Sequence, residues 1–182
     1  MNQRAILLMA AIALLAPMAM AAEQAREIDA SGGTSKGQWV AIVSKPAATN
    51  APVGTAAVVL GKGDKFEAAY GMTMVAGKPT VATISEDTIK AERESDKEPL
   101  ATTVIVKVSA EQHATIEKIL KEWDAKPEHI DPPNDVAVNF AQEIVDALGM
   151  KRAYRTGLGP VNPILYYADL GLINRKMGQE NS

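Results

Sequence analysis

The sequence predicts an α+β fold in which an antiparallel sheet is laid down first and helices follow. Two observations carry this. Five short β-rich runs between Gln38 and Val108 are each bounded by glycine, proline or asparagine, and the 3.6-residue apolar period begins only after Ser109. Strands first and helices afterwards give α+β rather than alternating α/β. The 182 residues, 47% hydrophobic and 23% charged, are ordinary for one globular core and rule out collagenous, coiled-coil or wholly disordered chains.

In chain order, Arg4 precedes an apolar run from Ala5 to Ala16, followed by Pro17 and Ala19-Met20-Ala21. The run is shorter than the roughly 20 residues a membrane span needs, and small residues at Ala19 and Ala21 suit a signal peptidase. Residues 1–21 are therefore read as a signal peptide cleaved after Ala21, with an exported product, periplasmic or secreted, and no integral span after cleavage. Removal takes away Arg4 and no acid, leaving 18 basic and 22 acidic residues, a net −4. That balance gives no global positive field for nucleic acid. Residues 22–36, with Ser31-Gly32-Gly33-Thr34-Ser35, lack either apolar period and are expected to form a flexible leader.

A single globular α+β domain is expected over 37–174. Its strands are Gln38 to Ser44, Thr55 to Leu60, Phe66 to Tyr70, Thr80 to Ile84 and Leu100 to Val108, the last placed centrally by its β-branched residues. Gly61-Lys62-Gly63-Asp64 reads as a hairpin turn, since it lacks the spacing of a phosphate loop. The charged stretch Glu86 to Pro99 reads as a solvated face or loop. Ser109 with Gln112 three residues later forms a capping box, and Ile116, Ile119, Leu120 and Trp123 make one helical stripe. A second helix starts near Asn134 or Asp135, carries Ala137, Phe140, Ala141, Ile144, Val145 and Leu148, and stops at Gly149. Residues Ile164 to Leu170 suggest a last short helix, and 175–182 a polar tail.

Chemistry is narrowed by absences. The chain has no cysteine, so disulfides, thiolate ligands and a cysteine nucleophile are all excluded. Its two histidines, His113 and His129, lack the pairing spacing of a metal site; Glu128-His129-Ile130-Asp131 with Asp135 is explained without an ion by helix capping. No metal and no cofactor are expected. His113 falls in a helix pattern and reads as a surface residue. No Gly-x-Ser-x-Gly elbow is present. Lys151-Arg152 follows a helix C-terminus, where the dipole favours cations.

The landmarks taken in order resemble the papain-like domains of the NlpC/P60 superfamily, in the permuted arrangement where the histidine strand precedes the cysteine helix. Gly37-Gln38-Trp39-Val40-Ala41-Ile42-Val43 resembles the opening strand, Ala68-Ala69-Tyr70-Gly71 a later one, and Asn134-Asp135-Val136-Ala137-Val138-Asn139-Phe140 the Asn-Cys-x-x-Phe helix. The resemblance implies a papain-like architecture over roughly Gly37 to Asn174. The reactive positions depart from it: Ala137 stands where the cysteine would be and Gln38 where the histidine would be. Alanine cannot attack, and glutamine cannot relay protons near neutral pH.

The expectation is a pseudoenzyme whose vestigial cleft, at Gln38, Ala137, Asn134 and Asp135, binds an envelope component such as a cell-wall peptide or a protein partner. The spacing of Ala137 to Phe140, Ala141 and Ile144 equally fits a core alanine on a helix face. Two other readings stand beside the first: an envelope hydrolase with non-cysteine catalytic residues, and an accessory envelope protein without a ligand cleft.

Overall fold

A computed structural model describes residues 26–44, 56–75, 78–94, 101–125, 136–152, 169–175 and 177. Six strands form one sheet: β1 (Arg26–Asp29), β2 (Gln38–Ser44), β3 (Ala56–Lys62), β4 (Lys65–Val75), β5 (Lys78–Thr83) and β6 (Ala101–Lys107). Helix α1 (Glu86–Arg93) lies between β5 and β6, and α2 (Ala110–Ala125) and α3 (Val136–Ala147) follow the sheet. The architecture is mixed α+β, with strand order β1-β6-β2-β3-β4-β5.

Three expectations are corrected. The leader is not free of structure: Arg26–Asp29 pairs with β6, with Ile28 opposite Val106, and Ile28 is buried. That pairing is parallel, so the sheet is mixed rather than antiparallel, although β2 through β5 and the β2–β6 pair are antiparallel. The charged stretch opens as a helix. Ser85 caps α1 by accepting from the Thr88 amide at 3.1 Å, Lys90 pairs with Glu86 one turn back at 2.8 Å, and among the described residues Ile89 is the one it buries. The charges do form a solvated face, and the backbone beneath them is helical.

Alternation along the strands divides the core into two layers. Val40 and Ile42 of β2, Val58 and Leu60 of β3, Tyr70 of β4 and Val104 and Val106 of β6 face α2 and α3. Trp39, Ala41, Val43, Val59, Ala69 and Ile105 face the other way, with Ile89 of α1. On that second face the Trp39 ring lies directly over Gly61, its cross-strand partner, and the indole donates to the Gly63 carbonyl at 2.9 Å. Glycine at 61 is a packing requirement, since a Cβ there would overlap the ring.

Helix α2 begins as the sequence predicts. The Ser109 amide donates to Gln112 Oε1 at 2.8 Å and the Gln112 amide to Ser109 Oγ at 3.1 Å, which is the reciprocal capping box. Ile116 and Leu120 are fully buried, and Ile119 and Trp123 pack at the margin of the same core. The helix crosses the sheet: Gln112 Nε2 donates to the Ala30 carbonyl at 2.9 Å near β1, while Asp124 lies 3.5 Å from Thr83 of β5.

Helix α3 ends at Gly149, whose φ of 66° is left-handed. The Met150 amide reaches back to the Val145 carbonyl at 3.0 Å and the Gly149 amide to Asp146 at 2.9 Å. These two bonds define a Schellman stop. Beyond it, buried Asn174 joins the C-terminal helical turn, 169–173, to the chain after α3: its side chain accepts from the Lys151 amide at 2.7 Å and donates to the Lys151 carbonyl at 2.8 Å.

Candidate functional site

The site begins with an irregularity in β4. Leu60 pairs with Ala68 but Gly61 pairs with Phe66, so Glu67 is an extra residue in the ladder, a β-bulge. In a regular strand Glu67 and Ala68 would face opposite sides. The bulge puts both on the wall of one cleft beneath α2. Gln38, two residues before Val40, projects to that same face from the start of β2, and Lys62, two after Leu60, does so from the end of β3. His113 and Glu117, one turn apart on α2, close the other side. The cleft is open to solvent on one side and holds about 410 Å³ over a floor of Leu60 and Ala68.

Its polar groups are incompletely matched. Gln38 Oε1 is buried without a hydrogen-bond donor. His113 Nε2 lies 3.0 Å from Glu67 Oε2, within ion-pair distance, and is buried without a hydrogen bond. An unmatched buried polar atom costs about 1–3 kcal/mol, and two such atoms in one cleft mark a place where incoming polar groups relieve a standing penalty. Glu117 is already engaged: Lys121 Nζ reaches it at 2.6 Å and holds its carboxyl below the usual range, with a smaller contribution from His113. Lys62 makes no ion pair among the described residues. The cleft thus offers a carboxylate, an ammonium, an imidazole and an amide around an apolar floor. No hydroxyl or thiol side chain lines it among the described residues.

Of the residues singled out from sequence, Gln38 lines this cleft. Asn134 and Asp135 lie outside the described residues, as do the signal segment 1–21 and the Glu128-to-Asp131 turn. Ala137 and Phe140 belong to α3, but their side chains are outside the described set. The Gln38 side chain meets α2, and no described residue of α3 lines the cleft.

The reading of His113 as a surface residue is overturned: its side chain is only 12% exposed. The signal was present, because the capping box fixes the phase of α2 and His113 sits three residues before Ile116 and seven before Leu120, on the buried stripe. Glu67 had no such signal, since a bulge leaves no mark in the apolar pattern.

No group of three or more metal-ligating side chains occurs among the described residues. A second hollow on the outer face of α2 is lined by Lys118, Glu122, Lys121 and Glu117, which are spent on one another as i,i+4 pairs. Comparison with protein-family models, curated proteins and solved structures finds none that matches this chain.

Proposed function

We propose that the protein is an exported, noncatalytic binding domain whose cleft between β2, β3, β4 and α2 holds a small polar component of the cell envelope, with a cell-wall peptide as the ligand class. The single observation that carries this is the pairing of two unmatched buried polar atoms, Gln38 Oε1 and His113 Nε2, in one cleft of about 410 Å³. Pockets that hold small ligands combine such an apolar floor with a few convergent polar groups. The absence of cysteine from the chain excludes a cysteine nucleophile, and the resemblance puts Ala137 at the position where that nucleophile would stand. The papain-like architecture belongs to the same proposal. Its support is that Gln38 and the core residues of α3, Ile144, Val145 and Leu148, lie on the same side of the sheet. Export is proposed on the Ala19-Met20-Ala21 signature.

The test is calorimetric titration of the mature protein with the pool of stem peptides that an amidase releases from peptidoglycan. Saturable binding that is lost in Gln38→Leu, with unfolding still cooperative, is the expected result. Absence of binding at millimolar peptide contradicts the reading. The His113–Glu67 pair favours a second reading, a hydrolase in which the imidazole activates water. Release of new amino groups from the peptide pool by wild type, and not by His113→Asn, would establish that alternative. Export predicts that protein recovered from an exporting bacterium begins at Ala22, read by N-terminal sequencing; a product retaining Met1 contradicts it.

A further inference from the structure

An imidazole carries a positive charge only when protonated, and His113 stands within ion-pair distance of one specific carboxylate. His113 Nε2 is 3.0 Å from Glu67 Oε2, the two coming from α2 and from the bulge in β4. The charged groups around the ring can be placed element by element: Glu67 from β4, Lys62 from β3 and Glu117 on α2 itself, while β2 contributes the neutral Gln38. Glu117 is committed to Lys121. Among the cleft carboxylates, Glu67 is therefore the one left for a ligand cation, and among the described residues the group within ion-pair distance of it is His113.

We propose that the ligand of this cleft presents a primary amine to Glu67, and that protonated His113 competes with that amine for the same carboxylate. The inference rests on the binding reading above and deepens it. With the imidazole neutral, Glu67 is half-exposed and its charge is free for an ammonium group. Once the imidazole is protonated, it forms a charge-assisted contact with Glu67 and places a second positive charge in a cleft that already holds Lys62. An arriving ammonium then meets a neutralised carboxylate and two like charges. Acidification releases the ligand, and by linkage the bound ligand opposes protonation of His113.

The bulge shapes this wall: Phe66 packs on the second core layer and Ala68 on the first, and Glu67, the extra residue between them, shares the cleft wall with Ala68 beneath α2. Gln38 then has a separate task, accepting an N–H from the ligand at an oxygen that otherwise has no donor.

The experiment titrates the amidase-released stem-peptide pool, native and after N-acetylation, into wild type, Glu67→Gln and His113→Asn between about pH 7.5 and about pH 5.5. The proposal expects native peptides to bind more tightly than acetylated ones at the upper pH, the preference to vanish in Glu67→Gln, and wild-type affinity to fall about tenfold on acidification. His113→Asn flattens that profile whatever its own affinity. Acetylated and native peptides binding alike, or a His113→Asn profile as steep as that of wild type, overturns the proposal while leaving the cleft reading in place. No binding of either pool at any pH overturns both.

Discussion

At the scale of single residues, two positions carry consequences out of proportion to their size. Gly61 has no side chain because the Trp39 ring occupies the space a Cβ would need, and that ring is fixed further by its bond to the Gly63 carbonyl. Gly61→Ala must displace the indole or the strand, so denaturant unfolding should show a loss of about 1–3 kcal/mol, the range for overpacking a filled site. A loss within error would mean that the ring moves aside freely. Glu67 is the other, since it is the extra residue of the β4 bulge and shares the cleft wall with Ala68. Neither was legible from composition. The glycine turn and the tryptophan could each be read from the sequence, but their contact depends on cross-strand register, which the pattern of a single strand does not specify.

At the scale of elements, the sequence spoke clearly where side chains act locally. The bounds of β2 coincide with the run Gln38 to Ser44, the capping box starts α2, and Gly149 stops α3. Each is set by neighbours within a few positions. It fell silent on β1, where Arg26-Glu27-Ile28-Asp29 holds one apolar residue and exists as a strand only through β6, about 80 positions away in sequence. It also misjudged α1, in which Ile89 is the buried residue among those described and charged residues dominate the remaining positions.

The end of α3 offers a test with a definite sign. Asp146 lies near the negative end of the helix dipole, where a carboxylate is unfavourable, and Arg152 grips both of its oxygens and holds its pKa below the ordinary carboxylate value. A depressed folded-state pKa means stability that is present above the carboxylate range and lost as pH falls through the folded value. Asp146→Asn should therefore be less stable than wild type at neutral pH, by no more than about 1 kcal/mol for so exposed a pair. The difference should close on acidification, as read from urea midpoints across pH.

At the scale of the whole molecule, one helix organises both stability and the candidate site. Helix α2 crosses the sheet from the loop after β1 to β5, seals one core layer with Ile116 and Leu120, and holds His113 over the cleft formed by the ends of β2, β3 and β4. The polar mismatch sits beneath the first half of that helix, while its second half is anchored to α3 by the Trp123 indole, which donates to Glu143 at 2.9 Å. On the proposed function, recognition belongs to the His113 end and rigidity to the Trp123 end. The most direct measurement is two-dimensional NMR of the mature protein during titration with the amidase-released peptide pool, following the Gln38 side-chain amide and the His113 ring. Saturable shifts are expected at Gln38, His113 and Glu67, with Trp123 and the outer face at Lys118 and Glu122 unmoved; shifts confined to that outer face, or none at saturating peptide, would overturn the proposed site.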